Sequence, residues 1–185
     1  MMTEISLNVH DVAENSIRAN ASLVEISVLI SQPDDLLTIT IADNGCGMTE
    51  EQVSRVTDPF FTTRTTRSVG LGVPFFKMAA EITGGSFNID STPGVGTTVT
   101  AVFVLSSIDR MPLGDINCTI HSLITFNADI DFIYTYRFNE KEFILDTREF
   151  REILGDVPLN TPDVSAYIKE FLGENKQDTD DGVTI

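Results

Sequence analysis

The chain has 185 residues, 42% of them hydrophobic and 22% charged, with 28 acidic against 12 basic side chains and a formal net charge of -16. That is the make-up of a globular protein, long enough for one full domain with an appendage or for two small ones. The charge disfavours nonspecific binding to nucleic acid or anionic membrane, but not a nucleotide, whose phosphates need only local donors and a metal ion.

No apolar run approaches the roughly 20 residues of a membrane span, and no basic segment leads into an apolar one at the N-terminus. Cys46 and Cys118 form no C-x-x-C pair and suggest neither a metal site nor a disulfide framework. A cytoplasmic protein is expected.

In chain order, the pattern over Leu7 to Ala21 places Val9, Val12, Ala13, Ser16 and Ile17 at three- and four-residue spacing, which predicts a helix packed by one face. Leu23 to Ile30 alternates as a strand, and Pro33-Asp34-Asp35 turns it into a second strand, Leu36 to Ala42. Thr49 and Gln52 have the spacing of a capping box at a helix start. Residues 58–72 are irregular. Val73 to Thr83 predicts a second long helix that Gly84-Gly85 terminates. Ser86 to Ser91 and Thr97 to Leu105 then read as strands around a turn. Mixed rather than alternating helices and strands favour an α+β sandwich over a doubly wound sheet.

Periodicity breaks at residues 106–116, a connector. Beyond it, Cys118 to Phe126, Ile130 to Phe138 and Glu142 to Asp146 are predicted as strands, and Asp146 to Leu154 and Pro162 to Leu172 as short helices. The expected organisation is a domain over 1–105, the connector, a small α+β domain over 117–173, and a frayed tail over 174–185.

Four segments carry chemistry. Asp11 and Asn15 lie four residues apart on one helix face, a carboxylate and a carboxamide able to serve Mg²⁺ and water. Asp43-Asn44-Gly45-Cys46-Gly47-Met48 follows a strand directly, so an acid is fixed at a strand end while two glycines permit close backbone approach. Asp58-Pro59-Phe60-Phe61-Thr62-Thr63-Arg64 supplies hydroxyls and a cation. Gly70-Leu71-Gly72 opens a helix, whose free N–H groups suit polyphosphate.

These segments resemble the N, G1, F and G2 boxes of the gyrase, Hsp90, histidine kinase and MutL (GHKL) superfamily, from about Leu7 to Leu105. The glycine pattern at Gly70-Leu71-Gly72, Gly84-Gly85 and Gly94 to Gly96 is most similar to sensor histidine kinases; Glu14-Asn15-Ser16 and the Asp43 hexapeptide are also similar to MutL. The resemblance implies a Bergerat-type ATP-binding fold, a two-layer sandwich of helices on a mixed sheet, here with a small C-terminal α+β extension.

It implies that Asp43 accepts from the adenine amino group, that Gly47 closes against the purine, with Gly45 and Met48 among the binding residues, and that Thr98 stands near the same edge. Asn15 would ligate Mg²⁺, Gly70 and Gly72 would approach the phosphates with Leu71 between them in the binding set, Thr62 and Arg64 would make lid contacts, and Phe60 would anchor that segment to the body. Asp11 occupies the place of the family's glutamate base, one methylene shorter, which weakens the expectation of hydrolysis.

The expected function is a stand-alone, histidine-kinase-like domain that binds ATP with Mg²⁺ and acts as ATPase or protein kinase on a partner protein. The alternative is a regulatory module that senses ATP without hydrolysing it. A MutL-like role in DNA transactions is disfavoured by the short 58–72 segment and the lack of a basic patch. His10 lies within the site helix and reads as structural or site-lining, His121 as a half-buried strand residue. From Ser106 onward there are 16 acidic and 7 basic residues, so the C-terminal domain is the expected surface for a protein partner with a basic patch. The resemblance leaves a homodimer open.

Overall fold

The computed structural model describes residues 3–57 and 72–185. Its elements run α1 (Ile5–Arg18), β1 (Leu23–Ser31), β2 (Leu36–Asp43), α2 (Glu50–Thr57), α3 (Gly72–Glu81), β3 (Ser86–Thr92), β4 (Gly96–Val104), α4 (Ile116–Phe126), β5 (Asp131–Phe138), β6 (Lys141–Asp146), α5 (Thr147–Leu154) and α6 (Pro162–Asp180). The strands form one six-stranded sheet in the order β3-β4-β2-β1-β5-β6. All neighbours are antiparallel except β1 and β5, so the sheet is mixed and the α+β architecture holds.

Strand alternation decides which face is covered. On β1, Val24, Ile26, Val28 and Ile30 are buried; on β2, Leu37, Ile39 and Ile41; on β4, Val99, Ala101 and Phe103. These side chains share one face because successive residues of a strand point to opposite sides. Helices α3, α1, α4 and α6 pack side by side over that face, each against the next. The second layer comes from their own apolar stripes, such as Ile5, Val9, Val12 and Ala13 of α1.

Several local expectations are met in detail. Thr49 and Gln52 form a reciprocal capping box at the start of α2, with the Thr49 N–H donating to Gln52 Oε1 at 2.8 Å and the Gln52 N–H to Thr49 Oγ1 at 3.3 Å. Gly84, at φ +87°, ends the turn after α3. Helix α1 starts without a side-chain cap; the Ile5 and Ser6 N–H groups instead donate to the carbonyls of Pro112 and Leu113 at 3.0 and 2.9 Å. The connector therefore caps the helix that carries Asp11 and Asn15.

Three expectations for the C-terminal part need correction. Cys118 to Phe126 is the helix α4, not a strand: Ile116, Ile120, Leu123 and Ile124 face the core at helical spacing, and Asp115 caps it by accepting from the Cys118 N–H at 2.9 Å. His121 thus sits on a helix, where Nε2 lies 2.9 Å from Ser165 Oγ of α6.

Residues 117–173 do not build a sheet of their own. Strand β5 pairs in parallel with β1, Val24 opposite Phe132 through Ile30 opposite Phe138, and both halves contribute to one core. The expected tail over 174–185 continues α6 to Asp180, whose buried carboxylate accepts from the Tyr136 hydroxyl at 2.8 Å and pairs with Lys176 at 2.5 Å. The Leu113 N–H donates to the Ile185 carbonyl at 2.9 Å. Among the described residues, no helix is long and apolar enough to cross a membrane.

Candidate nucleotide site

Asp43 is the last residue of β2 and lies on the same face as Ile41, so the strand aims its carboxylate into the helical layer. There the Ser16 hydroxyl of α1 donates to Oδ2 at 2.6 Å, and the Gly45 N–H donates to Oδ1 at 2.9 Å. Each carboxylate oxygen has two lone pairs, so both retain acceptor capacity toward a ligand.

The loop after β2 is pinned from several sides. Asn44 Oδ1 accepts from the Ser22 and Leu23 N–H groups, the Cys46 N–H donates to the Ala19 carbonyl, and the Gly94 N–H donates to the Cys46 carbonyl at 2.7 Å. At Gly47, φ is +64° and an added Cβ would lie 2.0 Å from the Thr92 carbonyl oxygen, so only glycine fits. A Cβ on Gly45 would meet the Ala19 carbonyl at 2.8 Å.

These residues enclose a cavity of about 160 Å³. Its polar groups are Asn15, Ser16, Asp43 and Thr97; its walls are Val12, Val56, Val73, Ile89 and Val99, with Cys46, Gly47 and Met48 along one side. The volume is below the roughly 300–1,000 Å³ of pockets for whole drug-sized ligands. The cavity thus sets one carboxylate and a few polar side chains against mostly aliphatic walls.

The structure corrects one site expectation. Thr97, not Thr98, lines the cavity. Thr97 lies opposite Asp43 across the β2–β4 ladder and shares a face with Val99, whereas Thr98 points to the other side of the sheet. Ser91 Oγ lies 2.8 Å from Thr97 Oγ1 and accepts from the Met48 N–H at 2.8 Å, which ties the β3–β4 hairpin to the loop.

Ser16, which accompanies Asp43 most closely, was legible only as a position on the helix's buried face. A hydroxyl among Val9, Val12 and Ala13 was the available signal.

Asn15 reaches the cavity from α1. Asp11, one turn earlier, is not part of the lining. It abuts the first turn of α3: a Cβ on Gly72 would stand 2.7 Å from Asp11 Cβ, so the glycine permits the close approach of the two helices. Phe60, Thr62, Arg64, Gly70 and Leu71 lie outside the described residues. His10 is half-buried and does not line the cavity.

Residues 4–107 match the model of the family described as histidine kinase-, DNA gyrase B- and HSP90-like ATPase. The chain is 37% identical over 78 residues to a probable C4-dicarboxylate sensor kinase of Bacillus subtilis (strain 168), covering 42% of this chain and 15% of that protein. It is 28% identical over 113 residues to the sensor histidine kinase ZraS of Escherichia coli (strain K12), covering 61% of this chain and 23% of that protein. The chain thus spans under a quarter of the length of these relatives. Among solved structures, the N-terminal domain of a DNA repair protein superposes with a TM-score of 0.54 at 18% identity, covering 78% of this chain and 53% of that one. At that identity the likeness concerns the fold.

Proposed function

The chain belongs to the histidine kinase-, DNA gyrase B- and HSP90-like ATPase family, which implies ATP binding, and from that premise we propose a Mg²⁺-dependent, histidine-kinase-like domain that acts as ATPase or protein kinase on a partner protein. The observation that carries the proposal is the Asp43 carboxylate, held by Ser16 and Gly45 beside a largely apolar cavity of about 160 Å³. In this reading Asp43 accepts from the exocyclic amine of adenine, the aliphatic walls cover the ring faces, and Thr97 offers a hydroxyl to the adjoining edge.

The donor set fits magnesium entering with the nucleotide. Among the described residues no group of three His, Cys, Asp or Glu side chains could hold a metal alone, and Asn15, whose side chain carries a carboxamide oxygen, lines the cavity. Magnesium keeps several waters and is commonly bound through one or two protein oxygens plus substrate phosphates. When bound, it would neutralise phosphate charge. Asn15 would orient it, and Asp11, on the same helix face, is the proposed candidate base for a water. The segment 58–72 is proposed to supply lid contacts through Thr62 and Arg64, with Gly70 and Leu71 near the phosphates. Location in the cytoplasm belongs to the same proposal.

A second reading, an ATP-sensing module without turnover, is favoured by Asp11 itself: its side chain is short and stands outside the cavity lining. Incubation of the whole chain with γ-labelled ATP and Mg²⁺ tests both. Released phosphate, or label transferred to protein, supports the enzyme; stoichiometric binding with neither supports the sensor. No binding at all defeats both.

A further inference from the structure

The segment beyond the family match carries an apolar groove that the nucleotide reading leaves without a role. It runs between α5 and α6 beside β6, with a cavity of about 420 Å³. Helix α5 is anchored by Arg151, which pairs with Asp131, but it leaves much of its surface open: of its side chains only Thr147 is fully buried. Phe150, Ile153 and Leu154 form an apolar stripe at three- and four-residue spacing. Ile153 is 85% exposed, Tyr167 57% and Ile144 54%.

Below these side chains the floor is aromatic. Phe150 meets Phe171 edge to face at 5.8 Å and Tyr167 at 5.9 Å, and Phe171 in turn packs against Phe143 at 6.4 Å. Such a stiff floor under an aliphatic lip loses little entropy when covered.

The rim is acidic. Asp146, Glu149 and Asp163 line the groove, and no lysine or arginine does so among the described residues. Asp146 is paired with Arg148 at 2.6 Å, whereas Glu149 and Asp163 make no ion pair among the described residues.

We propose that this groove docks an amphipathic, basic helix of a partner protein. Its aliphatic face covers Phe150, Ile153 and Tyr167, and its flanking Lys or Arg side chains meet Glu149 and Asp163. Two helical walls with apolar ridges suit a third helix laid between them. The charge selects the occupant. A second copy would set acidic rim against acidic rim in a self-complementary contact between chains of net charge -16, which repel. An anionic bilayer is repelled for the same reason. A cationic helix gains on both counts. The proposal stands on residues outside the nucleotide site and does not depend on ATP being the ligand there.

The test uses the whole chain and a fluorescein-labelled 18-residue peptide with leucines at i, i+3, i+4 and i+7 and lysines along both flanks, followed by anisotropy. The expected result is binding at least tenfold tighter than that of a scrambled peptide of the same composition. Ile153→Asp, an exposed substitution, should cut affinity at least tenfold. The double variant Glu149→Lys, Asp163→Lys should reverse preference toward a glutamate-flanked version of the peptide. Thermal melts of each variant guard against loss of fold. Equal binding of the scrambled peptide, indifference to Ile153→Asp, or no charge reversal overturns the proposal. So does sedimentation showing a homodimer that Ile153→Asp dissolves, because the occupant is then a second copy.

Discussion

The Ser16 hydroxyl and the Asp43 carboxylate meet at 2.6 Å across 27 positions of chain, joining the middle of α1 to the end of β2. The contact fixes the acid's rotamer before any ligand arrives. A hydrogen bond to a charged group contributes about 1.5–3 kcal/mol, so its loss should be felt as misorientation of the acceptor. Ser16→Ala is expected to weaken nucleotide binding about tenfold, and Asp43→Ala to reduce it beyond calorimetric detection while the circular dichroism spectrum is retained. Binding by Asp43→Ala within a few-fold of the parent protein would remove the basis for the base-recognition site.

Thr97 and Thr98 form a matched pair for a second measurement, since both are threonines in adjacent positions but face opposite sides of the sheet. Thr97→Val should lower affinity several-fold by removing the hydroxyl at the cavity edge. Thr98→Val should leave it unchanged. An equal effect of the two on titration would contradict the strand register.

Asn15→Ala is expected to lower affinity in the presence of Mg²⁺ while leaving the weaker, metal-free binding in EDTA nearly unaltered. Equal losses in both buffers would show that Asn15 acts on the nucleotide through something other than the metal.

Gly47→Ala would place a Cβ against the Thr92 carbonyl in a left-handed backbone conformation. Strain of this kind costs about 1–3 kcal/mol before the clash is counted. The variant should therefore unfold at clearly lower urea, and a midpoint matching the parent's would mean that the loop is free to move aside.

Tyr134 and Tyr136 are neighbours in the core with contrasting hydroxyls. Tyr136 donates to Asp180, whereas the Tyr134 hydroxyl has no partner among the described residues. Tyr136→Phe should cost about 1–3 kcal/mol by leaving the buried carboxylate short of a donor, and Tyr134→Phe should be neutral or slightly stabilising. Burial pushes both phenols up from the ordinary value near 10, aided at Tyr136 by the bond to Asp180. The unfolded chain would release these protons near pH 10 and the folded one would not. Stability is then unaffected by these groups below that pH, and falls above it by up to about 1.4 kcal/mol per pH unit for each tyrosine. Denaturation followed from pH 8 to 11 checks the slope, which should be roughly halved in Tyr134→Phe.

Much of the first hundred residues was legible because local signals agreed. The hairpin of β1 and β2, the Thr49–Gln52 box and the glycine stop after α3 each have a short-range cause, and all are present. Asp43, Gly47, Met48 and Asn15 come together around one cavity for the same reason: each sits at a fixed distance from the end of a strongly patterned element.

The misreadings arose where short-range preference opposed packing. The run Ile116 to Phe126 is rich in β-branched residues, which lean toward strand, yet Ile116, Ile120, Leu123 and Ile124 fit a helical face and the core selects the helix. The resemblance points to Thr98, but Val99, Ala101 and Phe103 set the inward parity of β4, and that parity turns Thr97 toward the cavity. The polar stretch near Asp180 looked frayed because a sequence does not reveal that Tyr136 waits opposite it.

The parallel seam between β1 and β5 makes β1 an interior strand rather than a border. A version of the protein ending at Leu105 would bare the backbone edge of β1 and strip Val24, Ile26 and Val28 of their lateral neighbours Phe132, Tyr134 and Tyr136. It would also lose the carbonyls of Pro112 and Leu113 that receive the opening amides of α1. The later residues thus cover a strand border that, left open, is the kind of edge at which another chain can pair.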